Sequence, residues 1–438
     1  QPASRTLSLA QALDGALGTN LQVLLAREGI HEAEAKATQA RAALNPQIGF
    51  TAQEANLTVN LAAQGFNGSV FPSVPLFLGP FYSFDSRLRL AQSLINTNAL
   101  YEARKGRLGV TLARLQERLA RQQVAAAAEL AYIDLLRARR AIEDAQANLE
   151  LALSLLELAQ HQRAAGVATG LDVTRADTRV AEEQVLLEQA RSLECRARLN
   201  LQHLVGIPLA DDVTLTDPLR AFDEPSPALD SSLGVARTGR VDLQLAREQV
   251  NLEDLEIKAA RAQYDPVVGL AADYGIAGQT PVSQASNVHS VGLQVRVPIY
   301  DGGLTRGRVQ EAVSRRHQGE SRLADTGVQV EQDVRLALEG LKTSRAQVAA
   351  SARALELAER ELHMARDRFK AGLGDNIEVL AAQTALSNAR HAHVTALAQW
   401  QSARINLAAA LGDAEAFRLE TSPDPQPKTD PTPGATHK

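Results

Sequence analysis

The sequence predicts a mainly α-helical fold with a membrane β-barrel portion, built from one helix–hairpin–long helix–helix unit used twice. Three observations predict it. First, the chain repeats itself at a fixed spacing. Arg163-Ala164-Ala165-Gly166, with Leu171-Asp172-Val173 following, returns 206 residues later as Phe369-Lys370-Ala371-Gly372 with Ile377-Glu378-Val379. Arg41 to Pro46 returns as Arg261 to Pro266, now 220 residues on, so the first copy carries 14 extra residues between Pro46 and about Gln92. Such self-similarity marks a duplicated structural unit. Second, apolar residues stand in strict seven-residue columns. Third, two segments alternate apolar and polar residues with period two and lie between the helical stretches.

Taken in order, the first unit (residues 1–206) opens with a helix near Ser8–Leu44, which Pro46 must end because proline removes a helix donor and constrains the residue before it. A hairpin follows at about 47–92, from Gln47-Ile48-Gly49-Phe50 to Ser86-Arg87-Leu88-Arg89-Leu90. Six of the nine phenylalanines (Phe50, Phe66, Phe71, Phe77, Phe81, Phe84) crowd into it and its loop, a pattern that fits aromatic girdles at a lipid interface. A helix of roughly 70 residues, about Leu94–Arg163, comes next; at about 1.5 Å per residue it would be ~100 Å long. Leu135, Ile142, Leu149 and Leu156 run down it beside Ala131, Ala138, Ala145, Ala152 and Ala159, and a sustained heptad of this kind is a coiled-coil seam. A shorter helix, about Gly170–Val205, closes the unit.

The link 207–230 carries Pro208, Pro218, Pro225 and Pro227. The second unit (231–412) then repeats the order: a helix near Ser231–Tyr264 ended by Pro266, a hairpin at about 267–299, a long helix about Leu304–Lys370 and a short one about Asn376–Leu411. Its seam is Val334, Leu341, Val348, Leu355, Leu362 and Phe369, with Ala337, Ser344, Ser351, Ala358, Ala365 and Gly372 three residues later. Val379, Leu386, His393, Trp400 and Leu407 form the column of the last helix. Residues 413–438 turn rich in Pro, Thr and Asp without periodicity and are expected to be disordered or to wrap loosely near the middle of the molecule.

Each unit thus supplies two strands. Four strands cannot close a barrel, and an open edge is not tolerated in lipid. Three copies would give twelve strands, and the same threefold symmetry would gather the long helices into a hollow cylinder continuous with the barrel.

Composition narrows the partners. Hydrophobic residues make up 45% and charged residues 22%, ordinary for a folded chain, and the net charge of −5 gives no reason to expect nucleic acid. The single cysteine, Cys195, rules out an internal disulfide and a Cys-rich metal site. No run approaches the length of a transmembrane helix. The chain opens at Gln1-Pro2-Ala3-Ser4 without a basic-then-apolar leader, as expected of a mature exported protein whose signal peptide is gone. No Gly-rich phosphate loop, nucleophile elbow or His-Glu-x-x-His run is present, so neither catalysis nor a cofactor is predicted. His391-x-His393 puts its rings on different helix faces, which favours packing over metal binding; no metal site is expected.

With these features stated, the sequence resembles the TolC family of outer-membrane efflux proteins from about Leu7 to Gly412. The resemblance is carried most specifically by Arg368-Phe369-Lys370-Ala371-Gly372 with Ile377-Glu378-Val379-Leu380, and by the strand-to-helix junction Val297-Pro298-Ile299-Tyr300-Asp301-Gly302-Gly303. It implies a homotrimeric channel in the outer membrane of a Gram-negative bacterium, reaching through the periplasm. It further implies docking onto a periplasmic adaptor and an inner-membrane transporter, with export of drugs, metals or proteins.

The resemblance also places the periplasmic entrance at the tips where long and short helices meet. Glu378 stands where family members often carry an acid lining the closed mouth, and a threefold ring of acids would attract cations. Asp375 and Asp172 are candidates for the same gate. Asp375-x-x-Glu378 and Thr169-x-x-Asp172 also read as capping boxes, and one residue could serve both purposes. Gly374 replaces a basic residue that can lock the mouth, and Ala381 replaces a second acid. Gly166 and Gly372 read as left-handed helix C-caps; with Val167, Thr169, Leu171, Leu373 and Gly374 they form the tips offered to the adaptor. At the junction, Pro298 ends a strand and Gly302-Gly303 turn the chain into a helix. The competing reading is a coiled-coil stalk or adaptor of the envelope that never crosses the membrane. The hairpins separate the two, because only a duct needs an apolar outward face on them.

Overall fold

In the computed structural model, residues 4–65, 75–222, 225–281, 284–371, 373 and 376–419 are described. The elements in chain order are β1 (Ser4–Leu7), α1 (Leu9–Thr19), α2 (Leu21–Ala42), β2 (Gln47–Asn60), β3 (Phe77–Ile95), α3 (Thr97–Ala164), α4 (Gly170–Val205), β4 (Asp212–Leu215), α5 (Leu229–Gly239), α6 (Val241–Arg261), β5 (Val267–Gly278), β6 (Ser286–Arg296), α7 (Leu304–Lys370) and α8 (Asn376–Leu411). They fall into two compact units. One comprises residues 1–27, 115–244 and 325–438; the other comprises residues 28–114 and 245–324. No helix among the described residues is long and apolar enough to cross a membrane.

The first unit is helical and holds the main core. Its centre is Tyr132, Ile133 and Leu135 of α3, packed with Ala12 and Ala16 of α1, Leu201 and Val205 of α4, and Ile405 of α8. Full burial of a Leu or Ile side chain contributes about 1.5–3 kcal/mol, so this cluster anchors the unit. The heptad seams fill smaller clusters further along. Leu155 meets Ala358, Leu362, Ala365 and Phe369 of α7 and Val379, Ala382 and Leu386 of α8. The small-residue column permits this: Ala131, Ala152 and Ala159 are at most 4% exposed, and alanine lets neighbouring helices close on each other.

Glu129 is the buried carboxylate of this core without support. It lies on α3, is wholly buried, and among the described residues neither carboxylate oxygen has a hydrogen-bond partner. Burial pushes its pKa up to about 8, opposed only in part by the charge of Arg418.

Several expectations need correction. The helices expected over 8–44 and 231–264 are each two helices, broken at Asn20 (ψ 133°) and Arg240 (ψ 118°). The apolar pattern runs through both breaks, and local bonds make them. Asn20 Oδ1 accepts the Gln22 N–H at 2.9 Å, while Arg240 is fixed by Asp242 at 2.6 Å and Asp333 at 3.0 Å. The link after α4 contains β4, which pairs in parallel with β1. Asp217 secures that ladder by accepting from Leu9 N–H at 2.8 Å and from the Tyr132 hydroxyl at 2.5 Å.

Of the tail, expected to be disordered or loosely wrapped from residue 413, the stretch to Leu419 is packed, with Ala414, Phe417 and Leu419 all buried. Arg404 of α8 holds it in place. Its guanidinium lies over the rings of Phe222, Trp400 and Phe417 at 4.5, 5.1 and 5.1 Å and donates to the Leu419 carbonyl at 3.2 Å. The rest of the tail, 420–438, lies outside the described residues. Cys195 of α4 is half-buried.

The second unit holds a four-stranded antiparallel sheet in the order β2-β3-β5-β6. The two hairpins therefore join through β3 and β5, with Leu88 opposite Tyr274 and Leu90 opposite Ala272.

Candidate functional site

Two features of this chain are built for something other than packing: the paired helix tips of the helical unit and the two faces of the sheet. The first tip joins α3 to α4. Gly166 adopts φ 75°, the left-handed cap that glycine takes without a Cβ penalty. The Val167 N–H donates to the Gln162 carbonyl at 2.9 Å and the Gly166 N–H to the Arg163 carbonyl at 3.0 Å, closing α3. Thr169 then starts α4 as its N-cap. The Thr169 N–H donates to Asp172 Oδ2 at 2.8 Å and the Asp172 N–H to Thr169 Oγ1 at 3.3 Å. The capping role expected of Asp172 is therefore present, and Arg175 lies 4.0 Å from its carboxylate.

The second tip closes α7 with the equivalent bond, from the Leu373 N–H to the Arg368 carbonyl at 2.9 Å. Gly372, Gly374 and Asp375 lie outside the described residues, and with them the expected capping box of Asp375 and Glu378. Glu378 has a different neighbour: Arg368 Nε approaches its carboxylate at 3.6 Å, with the two side chains 60% and 49% exposed. Sequence reasoning quoted Arg368 only as part of a motif. Its ten-residue separation from Glu378 becomes a contact once the chain reverses at the tip. The Gln162 side chain ties the tips together by donating to the Phe369 carbonyl at 3.1 Å.

Around these bonds the tips are apolar and open. Val167, Leu171, Leu373 and Ile377 are 66%, 57%, 76% and 49% exposed. Four large apolar side chains left in water on two neighbouring turns form a patch of the kind used for protein contact.

The sheet has two unlike faces, because residues paired across strands share a face and alternate along each strand. One face carries Ile48 and Phe50 of β2, Leu88 and Leu90 of β3, Leu270, Ala272 and Tyr274 of β5, and Val291, Leu293 and Val295 of β6. Phe50, Tyr274, Val291 and Leu293 on it are at least 61% exposed. The other face carries Gln47, Thr51, Asp85, Arg87, Arg89, Asp273, Ser290, Gln294 and Arg296, interspersed with Ala91, Ala271, Val267 and Val288 and, toward the loop, Leu57 and Phe81. There Arg87 bridges Asp85 at 2.7 Å and Asp273 at 3.0 Å, and Ser290 donates to Asp273. Asp273, a polar residue in an otherwise apolar strand, thus belongs to an ion-paired surface. Glu54 does not: its partner Phe84 puts it on the apolar side, beyond Ala52.

Past β6 a capped turn leads the chain into α7. Gly302 and Gly303 have φ 68° and 91°, a left-handed pair that only glycine adopts cheaply. Asp301 caps α7, accepting from the Gly303 N–H at 3.0 Å and the Thr305 N–H at 2.8 Å. Pro298 stands two residues after the last strand residue, Arg296. Among the described residues no group of three His, Cys, Asp or Glu side chains is placed to hold a metal. His393 is half-buried with Nδ1 3.1 Å from Ser351 Oγ, and burial lowers its pKa.

Comparison with known proteins gives a consistent result. The sequence model of the outer membrane efflux protein family matches residues 12–207 and 233–413. The alkaline protease secretion protein AprF of Pseudomonas aeruginosa is 27% identical over 334 residues, covering 72% of this chain and 68% of AprF. Protein CyaE of Bordetella pertussis is 26% identical over 297 residues, covering 67% of this chain and 63% of CyaE, so the match spans under two thirds of that relative. Among solved structures, the outer membrane protein VceC of Vibrio cholerae superposes with a TM-score of 0.79 at 21% identity, over 92% of this chain and 96% of VceC.

Proposed function

The chain belongs to the outer membrane efflux protein family, and from that membership we propose that it is the outer-membrane exit duct of a tripartite efflux or type I secretion system. It is a passive conduit, gated at its helix tips and opened by a periplasmic adaptor and an inner-membrane transporter. The observation that carries this reading is the two-faced sheet. Its apolar side suits lipid and its ion-paired side suits a water-filled lumen.

The sheet also supports a homotrimer. In the order β2-β3-β5-β6 both outer strands keep an unpaired edge within the chain, and such edges must be closed in a bilayer. Three chains pairing β6 to β2 give a closed twelve-stranded barrel. Two copies of one unit account for the chain, since the breaks at Asn20 and Arg240 are 220 residues apart, the same spacing as Pro46 and Pro266.

At the tips, Glu378, Asp172 and Asp375 line the periplasmic gate. Glu378 is partly offset by its own chain's Arg368, so the mouth attracts cations less than a bare ring of acids would. Val167, Leu171 and Leu373 form the adaptor contact together with Gly166 and Thr169, and Gly372 and Gly374 are assigned to it from the sequence. AprF is by name a protease secretion protein, and polypeptides are accordingly one substrate class to test beside drugs and metal ions. A hydrophilic envelope stalk fits less well, because it gives no account of the apolar face. The reading is tested by reconstituting the chain in lipid vesicles loaded with a small fluorophore. Release that depends on adding the adaptor and transporter supports it, and vesicles that stay sealed under all conditions count against it.

A further inference from the structure

The two faces of the sheet change places along β2. On the side that is apolar below, β2 carries Ile48, Phe50 and Ala52 and then Glu54, Asn56, Thr58 and Asn60. On the opposite side it carries Gln47, Gly49, Thr51 and Gln53 and then Ala55, Leu57 and Val59. Residues two apart in a strand share a face, so the polarity of both faces reverses at about Glu54. The partner strand agrees: Phe81 lies opposite Leu57 and Leu78 opposite Val59. Four large apolar side chains thus stand on the face that is ion-paired further down, and Glu54 marks the level at which the reversal begins.

This stretch stands clear of the rest of the sheet. β5 pairs with β3 no further than Phe84, and beyond it β2 and β3 run on as a two-stranded ribbon to Asn60 and Phe77. Six residues of strand at about 3.4 Å each make the ribbon ~20 Å long. A two-stranded ribbon is marginally stable in water and needs its apolar face covered, yet Leu57 is 43% exposed in the single chain. The ribbon is also bent. Gly79 and Pro80 separate Leu78 from Phe81, whereas Thr58 alone separates Val59 from Leu57, so β3 carries a bulge. Bulges bend strands and gather at barrel rims. Gly79 sits in it at φ 120°, where a Cβ would come within 2.6 Å of the Leu57 carbonyl oxygen.

We propose that the ribbons of three copies lean inward and meet on the threefold axis, where Leu57, Val59, Leu78 and Phe81 form an apolar constriction at the outer mouth. Twelve strands spaced about 4.8 Å apart and tilted about 40° enclose a barrel of radius ~12 Å, a distance that a ribbon of ~20 Å can cross. What covers each apolar face is then the same face of the other two copies. Above Glu54 the outer side, with Asn56, Thr58 and Asn60, meets water. A narrow apolar ring excludes water and ions by dewetting, so the outer mouth is a second barrier in series with the helix tips, parted by the cargo as it leaves. This inference rests on the barrel reading above.

The test is thiol cross-linking of the full chain reconstituted in phospholipid vesicles. The native chain has one cysteine, Cys195, so Cys195→Ser supplies the background. Phe81→Cys and, on the opposite face, Asn56→Cys are treated with bismaleimidoethane, a short linker. Upright ribbons would hold equivalent residues of two copies ~20 Å apart, beyond its reach, whereas converged ribbons bring the Phe81 positions together. The expected result is that most of Phe81→Cys runs as covalent dimer on a denaturing gel while Asn56→Cys stays monomeric. Leu57→Cys, on the same face as Phe81, gives the same readout should Phe81→Cys fail to assemble. If the inner-face variants stay monomeric, or if both faces link alike, the ribbons do not converge through this face and the constriction is refuted. Leu293→Cys reports on the barrel itself and should resist a charged, membrane-impermeant maleimide. If it is labelled, the barrel reading fails and the constriction with it.

Discussion

Replacing Glu129 by glutamine should make the protein more stable at neutral pH and leave it unchanged in acid. The carboxyl is wholly buried without a hydrogen-bond partner, and its pKa is raised by burial from 4.5 to about 8. Between those values the folded chain keeps a proton that the unfolded chain releases. Unfolding is therefore favoured as pH rises from about 4.5 to 8, and each pH unit costs about 1.4 kcal/mol of stability. At pH 7 the cost is on the order of 3 kcal/mol per chain. Glutamine fills nearly the same volume, leaves similar polar atoms unpaired and has no proton to lose. Thermal unfolding of the detergent-solubilised protein, followed by circular dichroism, should show the midpoint of Glu129→Gln above wild type at pH 7. The gap should close as the buffer is brought to pH 4. Parallel pH profiles for the two proteins would refute the reasoning, because they would mean that Glu129 has a partner or reaches water.

Three further outcomes are expected. Arg404→Ala removes a guanidinium shared by three aromatic rings and should destabilise the helical unit by roughly 2–4 kcal/mol. Limited proteolysis should then cut near Phe222 or Phe417 first; an unchanged cleavage pattern would argue against the clamp. Asp172→Ala should cost about 1 kcal/mol through the lost capping box, visible as faster hydrogen exchange at the start of α4, and unaltered exchange would discount the cap. Glu378→Gln breaks a pair that is about half exposed on both sides, so stability should change by less than about 1 kcal/mol and trimers should persist. Its reversal potential in a salt gradient should nevertheless show weaker cation preference, and an unmoved potential would remove Glu378 from the gate.

Long-period features of the fold were legible in the sequence. The columns through Val334, Leu341, Leu362 and Phe369 do lie in the helical cores, and the hairpins begin where Pro46 and Pro266 end the helices. What escaped was local or distant. The break at Asn20 goes with side-chain bonds to the Gln22 N–H and the Leu204 carbonyl, inside an uninterrupted apolar pattern. The four-residue strands β1 and β4 are too short to show a period, and they pair only because residues 4–7 and 212–215 meet in space. The tail up to Leu419 is held by Arg404 and by Arg121, which pairs with Glu415 at 2.6 Å, and both look like any other helix arginine. At the tips, the Thr169–Asp172 cap was readable because its partners are three residues apart, whereas Arg368–Glu378 needed the chain reversal between α7 and α8. The faces of the sheet followed from alternation once the register was known; Glu54 shows the limit, since its parity places it among apolar neighbours.

The central claim is that three copies of this chain enclose a conduit through a membrane, and single-channel recording tests it most directly. Purified protein added with its adaptor and transporter to a planar lipid bilayer should produce discrete conductance steps, less cation-selective once Glu378 is replaced by glutamine. Protein shown to be trimeric and inserted that passes no current even with adaptor and transporter present would contradict the account.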